Sequence, residues 1–181
     1  VIALTLADGG AELVLHVHTS SGEAVAHEIR QRGGRASVLQ AELSSTSDIE
    51  LLCRKALDIR GRGDILVNNA AAFYPTQIET LTNVGWQHLL QTNVTSAFYV
   101  GLLFGRAMQR QGAGKIIHLG DWSGVRPSPG YLAYCVSKAG VHALSVAFAK
   151  ALAPEVQVNT IAPGPVLPPS EYLSLIHISE P

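Results

Sequence analysis

Strand-like and helix-like stretches alternate along this chain, and that alternation constrains the fold more than any other feature. Short β-rich runs at 11–17 (AELVLHV), 36–43 (ASVLQAEL), 64–71 (DILVNNAA), 114–121 (GKIIHLGD) and 156–165 (VQVNTIAPGP) are separated by helical patterns at 21–34, 45–61, 83–112 and 131–153. Strands joined through helices form βαβ units, which require a parallel sheet. The expected fold is therefore α/β, a Rossmann-like doubly wound parallel sheet with helices on both faces. The opening VIALTLADGG reads as the second half of a helix stopped at Gly9 and Gly10, so the chain begins inside an element.

Open sheets of this kind bind ligands beyond the C-terminal ends of their strands. The unusual polar residues fall at those ends: His16 and His18, Asn68 and Asn69, Asp121, and the Pro163–Gly164 turn. Four strand ends that independently carry such residues mark a site.

The bulk numbers narrow what that site serves. A length of 181 residues is about one domain's worth. With 47% apolar and 15% charged residues, the chain can bury a core. A formal net charge of -1 offers no face for a polyanion, so nucleic acid is not expected as a partner. Cys53 and Cys135 have no metal-ligand spacing around them, and a reduced cytoplasmic protein is expected. No run is expected to span a bilayer, and the N-terminus lacks the basic start of a signal peptide.

The stretch GDWSGVRPSPGYLAYCVSK (120–138) carries the chemistry. Tyr134 and Lys138 are four residues apart on a predicted helix and share a face. An ammonium there favours the phenolate and is expected to lower the Tyr134 pKa, making the phenol a usable acid and base. Asn68 and Asn69 end a buried strand with two amides, which must be satisfied. Asn93 is a poor helix former inside the long 83–112 pattern and points to an interrupted ladder or a bound water.

Together DILVNNA, QTNVTSAF, YLAYCVSKAG and VNTIAPGPV resemble, in that order, the sequence marks of the short-chain dehydrogenases/reductases, from residue 1 to about residue 172. The resemblance implies a nicotinamide cofactor and hydride transfer, with Tyr134 as acid/base and Lys138 holding the ribose and tuning Tyr134. It implies that Asn93 supports a proton-relay water and that Asn68, Asn69 and Ala70 line the cofactor. The family normally has Ser thirteen residues before the Tyr, where this chain has Asp121. That departure, with HVHTSS, NNAAAFYPT and GDW, resembles the pteridine reductase branch, in which Phe73 would stack on the pterin. A carboxyl in a half-buried site can hold a raised pKa and pass a proton to a ring nitrogen. The expected reaction is NADPH-dependent reduction of a C=N bond in a pterin or dihydropterin, with Phe73, Asp121 and Tyr134 against the substrate. The alternatives are a short-chain carbonyl oxidoreductase, acting on keto, sugar or steroid-type substrates, in which Asp121 is incidental, and a non-catalytic cofactor-binding relative.

Cofactor choice turns on HVHTSS. An acid there would grip a ribose diol, but none occurs before Glu23. His18, Thr19 and Ser20 are expected at the 2′-phosphate of NADPH, beside a helix N-terminus that favours an anion. Pro163 and Gly164 are expected against the cofactor as well. His16 and His18 need not be metal ligands, and no metal is expected. Family members usually assemble as dimers or tetramers, so a homodimer or homotetramer is expected of the full-length protein.

Two ends depart from the family pattern. The first strand with its Gly-rich turn, and the last strand, are missing from the expected sheet, which leaves a gap beside the strand at 64–71. Residues 1–172 are read as a truncated reductase domain. LSLIHISEP (173–181) resembles a translated sequencing adapter and is read as a non-native tail.

Overall fold

The structure is a computed structural model and describes residues 1–164. The tail expected at 173–181 lies outside the described residues. In chain order the elements are α1 (Ile2–Asp8), β1 (Leu13–Val17), α2 (Glu23–Gln31), β2 (Ala36–Gln40), α3 (Thr46–Asp58), β3 (Ile65–Asn68), α4 (Asn83–Leu90), α5 (Ser96–Gln111), β4 (Gly114–Leu119), α6 (Leu132–Ala151) and β5 (Val156–Ile161). The caps follow local chemistry. Ser45 opens α3 by accepting from the Asp48 N–H, and Thr82 opens α4 by accepting from the Gly85 N–H. Gly112 closes α5 in the left-handed region at φ 81.

All recorded strand pairs are parallel, as the alternating pattern requires. They form two sheets among the described residues, β1–β2 and β3–β4–β5. β1 pairs with β2 alone and β3 with β4 alone, which is the arrangement expected of a doubly wound sheet with a gap next to β3. Across that gap the halves are tied by helices and side chains. α3 packs Ile49 and Cys53 against Val100 of α5, and Arg60 reaches Glu12 at 2.7 Å.

The larger core lies between β4–β5 and the two long helices, where Met108, Ile116, Phe148, Leu152, Val156 and Val158 are buried together. Close approach there needs glycine. A Cβ on Gly101 would come within 2.8 Å of Phe148, and one on Gly105 within 2.7 Å of Leu152. The core holds α6 against the strand ends, and so holds the site.

Two expectations are corrected. The predicted continuous helix at 83–112 is broken at Gln91–Thr95 by a π-helical turn centred on Asn93, so the interrupted ladder is real. The expectation that no run is long enough to span a bilayer also fails, because α6 has the length and composition to cross one. It packs instead on β4 and β5, with Tyr134, Lys138, Val141, Ser145 and Phe148 buried along one side.

Candidate active site

β4 ends at Leu119, and the extended Asp121 that follows aims its carboxylate at α6. Tyr134 donates its phenolic O–H to Asp121 Oδ2 at 2.9 Å, and the Ser123 N–H donates to Asp121 Oδ1 at 2.7 Å. One turn further along α6, Lys138 donates from Nζ to the Leu119 carbonyl at 2.8 Å and lies 5.7 Å from the centre of the Tyr134 ring. The three groups expected to act together therefore meet.

Their protonation departs from the sequence reading in two places. Burial, followed by the hydrogen bond to Asp121 and its negative charge, raises the Tyr134 pKa; the expected lowering by Lys138 is overturned. Burial also acts to raise the Asp121 carboxyl. Hydrogen bonding from Ser123 and Tyr134, with the Lys138 charge, outweighs it and holds the group below its ordinary value. The raised pKa expected of Asp121 is thus corrected, and the group is a carboxylate at neutral pH. Lys138 is shifted down by burial, which the Asp121 charge partly offsets.

Asn93, 3% exposed, sits where the π turn opens the helix. Its Oδ1 accepts from the Ala72 N–H at 2.7 Å, and its Nδ2 donates to the Ala72 carbonyl at 3.0 Å and to Ser137 Oγ at 2.9 Å. Ser137 in turn donates to the Tyr134 carbonyl at 2.7 Å. Asn93 thus ties the segment after β3 to α6. Phe73, on that segment, is 63% exposed. It stacks on Tyr131 at 4.9 Å between centroids and meets the Tyr134 ring edge-on at 4.7 Å.

Of the residues expected at the cofactor, His18, Thr19 and Ser20 after β1, Asn69 and Ala70 after β3, and Pro163 and Gly164 after β5 are exposed at the C-terminal ends of the parallel strands, whereas Lys138 is buried and Asn68 is half-buried, its Nδ2 donating to the Ala97 carbonyl at 3.4 Å and to His118 Nδ1 at 3.3 Å. Gly22 leads into α2 at φ 63, where a Cβ would come within 2.6 Å of Val17, so only glycine lets the loop fold back here. Open loops, serine and threonine hydroxyls and a helix N-terminus suit a dinucleotide's sugars and phosphates. His18 also pairs with Glu42 at 2.7 Å. Lys138 Nζ, expected on a ribose, meets the Leu119 carbonyl among the described residues. No group of metal-ligating side chains occurs among the described residues.

The sequence reading missed three participants. Ser137 links Asn93 to Tyr134, Tyr131 stacks on Phe73, and His142 Nε2 donates to the Asp121 carbonyl at 3.1 Å. His142 follows Lys138 by four residues, so helical spacing could have found it.

Comparison with known proteins fits this geometry. The family model described as short chain dehydrogenase matches residues 1–172. A 3-oxoacyl-[acyl-carrier-protein] reductase of Synechocystis sp. is 34% identical over 165 residues, covering 90% of this chain and 67% of that protein. A 2-dehydro-3-deoxy-D-gluconate 5-dehydrogenase of Bacillus subtilis is 34% identical over 164 residues, covering 90% of this chain and 64% of that protein. The crystal structure of a dehydrogenase/reductase from Sinorhizobium meliloti 1021 superposes with a TM-score of 0.85 at 31% identity, covering 90% of this chain and 66% of that one. The chain thus spans about two thirds of the length of these relatives. With its parallel α/β fold and its Tyr134–Lys138 pair, the chain belongs to the short-chain dehydrogenases.

Proposed function

We propose that this chain carries the catalytic core of an NAD(P)(H)-dependent carbonyl oxidoreductase in which Tyr134 exchanges the proton. The observation that carries the reading is the contact of Tyr134 with Asp121 above the buried Lys138. The nicotinamide supplies the hydride when bound, with Asn69, Ala70, Pro163 and Gly164 along the strand ends to hold it. NADPH is the preferred form in this reading, since the loop after β1 presents His18, Thr19 and Ser20 and no carboxylate before Glu23. As hydride reaches a carbonyl carbon, charge builds on its oxygen, and Tyr134 gives its proton there. A phenol with a raised pKa is protonated and ready to donate. The Lys138 ammonium beneath the ring then stabilises the phenolate that remains.

Asp121 sets a condition on the substrate. A carboxylate beside a developing oxyanion repels it, so the substrate must give Asp121 a hydrogen-bond donor on the other side. A hydroxylated keto compound meets this condition through an O–H. The pterin reading remains the second one, favoured by the exposed Phe73 over Tyr134 and by a carboxylate that would accept N–H bonds from an amino-substituted ring. In both readings the substrate is a small molecule and the full-length protein is a cytoplasmic homodimer or homotetramer. The buried, unbridged Cys53 and Cys135 support that location.

The test is NADPH oxidation by the protein with a 3-oxoacyl thioester, a hydroxylated keto acid and dihydrobiopterin in parallel. Turnover of the hydroxylated keto acid that falls about 10²- to 10⁴-fold in Y134F supports the main reading, and turnover of the thioester, which has no donor beside its carbonyl, would overturn the condition that Asp121 sets. Turnover of dihydrobiopterin alone, lost in D121S, selects the pterin. Undiminished turnover in Y134F removes both.

A further inference from the structure

The segment that joins the two reacting groups carries one charge between them. From Trp122 to Ala133 that charge is Arg126, and no Asp or Glu occurs from 122 to 154. Its position is built rather than accidental. The chain winds one tight turn directly after Asp121: Gly124 N–H donates to the Asp121 carbonyl at 3.1 Å, and the Val125 and Arg126 N–H groups both donate to the Trp122 carbonyl at 2.9 Å. The turn is pinned from two sides. The Trp122 N–H donates to the Pro163 carbonyl at 3.2 Å beyond β5. Gly124 lies so close to α6 that a Cβ would come within 2.8 Å of Ala139 N and of the Lys138 carbonyl carbon.

This winding brings the Arg126 guanidinium over the Trp122 ring, 5.6 Å from its centre. Trp122 is 44% exposed, and Arg126 is exposed and meets no carboxylate within 4 Å among the described residues. The cation–π contact holds the guanidinium beside the ring and leaves N–H groups to meet a ligand. Arg126 follows Asp121 by five residues, on the same turn that β4 leads into. The remaining charges nearby are Asp121, which is held ionised, and Lys138, which is buried behind it.

We propose that Arg126, oriented by Trp122, binds a carboxylate on the substrate and makes this site select acids over their neutral analogues. An anionic substrate approaching the Tyr134–Asp121 pair meets a negative charge, and Arg126 supplies the opposing one on the same turn. A guanidinium also matches a carboxylate with two parallel N–H donors, which an ester or an amide cannot accept as a charged pair. The inference rests on Tyr134 and Asp121 facing the substrate, and its test separates it from that reading.

Calorimetric titration of the protein with hydroxypyruvate, its methyl ester and inorganic phosphate, in the presence of NADP, reads the anion directly and needs no turnover. Saturable acid binding that weakens at least tenfold in R126Q and weakens less in R126K is the expected result. The ester is expected to bind weakly and equally to wild type and R126Q, and phosphate to compete poorly. Equal acid binding by wild type and R126Q overturns the proposal, and so does the absence of saturable acid binding by wild type. Phosphate that displaces the acid at equal concentration overturns the carboxylate assignment, and an R126Q loss of NADP affinity would place the guanidinium on the cofactor. Because the titration reads binding without turnover, failure of the proton-transfer reading leaves the comparison of wild type with R126Q standing.

Discussion

Tyr134 and Asp121, thirteen residues apart in sequence, form a donor–acceptor pair at 2.9 Å in which the phenol keeps its proton and the carboxyl gives its up. Each group reinforces the state of the other. The carboxylate's charge resists a second negative charge on the phenol, and the phenol's O–H stabilises the carboxylate. The pair is one unit, so a change to either member is read at both.

That coupling predicts the effect of removing the charge while keeping the shape. In Asp121→Asn the amide oxygen still accepts the Tyr134 O–H, but the repulsion that helps hold the phenol protonated is gone. Tyrosinate is expected to form at lower pH than in wild type, read as the ultraviolet absorbance of the ionised phenol during alkaline titration. A Tyr134→Phe control identifies which tyrosine moved. A titration curve identical in wild type and D121N would show that burial alone sets the Tyr134 pKa.

Asn93 gives a stability prediction. Replacing it with Ala strands the Ala72 N–H and carbonyl, neither of which meets another partner among the described residues, while the Ser137 hydroxyl keeps its bond to the Tyr134 carbonyl. Each stranded group costs about 1 to 3 kcal/mol when water cannot reach it. Partial access at Ala72 brings the expected loss to roughly 2 to 4 kcal/mol by urea denaturation. Asn93→Asp should lie between, since its oxygen keeps the Ala72 N–H but cannot donate. A loss under about 0.5 kcal/mol, the range of ordinary surface substitutions, would mean that the π turn does not depend on this amide.

These two cases also divide what the sequence made legible from what it did not. The parallel α/β fold followed from period and length, since strand runs of β-rich residues between long helical patterns leave few other topologies. The convergence of Asp121, Tyr134 and Lys138 followed from strand-end placement and four-residue spacing. Their protonation states did not, because a pKa depends on burial and on which partner a side chain faces. Lys138 faces the Leu119 carbonyl and the Tyr134 ring rather than the phenol oxygen alone. The break at Asn93 was signalled by residue type, but its partner at Ala72 lies 21 residues away and carries no sequence mark. Ser137 and Tyr131 were hidden for the same reason: their roles come from tertiary neighbours, and a serine on a helix or a tyrosine just before one is ordinary.

His118 provides the pH prediction. It lies in β4 in register between Asn68 and Thr160, is fully buried, and stacks on Phe148 at 6.2 Å. Asn68 Nδ2 donates to its Nδ1 at 3.3 Å, which puts the imidazole proton on Nε2, an atom that meets no partner among the described residues. Burial pulls its pKa down to about 4, against 6.5 for the free side chain. Between those values the unfolded chain binds a proton there that the folded chain refuses. Stability contributed by neutral His118 is therefore complete above pH 6.5, declines as pH falls through the window from 6.5 to 4, and levels off below it. A shift of this size corresponds to about 3 kcal/mol across the window. Urea midpoints measured from pH 7 to pH 4 should fall more steeply in wild type than in His118→Asn, whose amide does not titrate in this range and can still meet Asn68. Parallel slopes in the two proteins would assign the acid sensitivity to other groups and place His118 in contact with water.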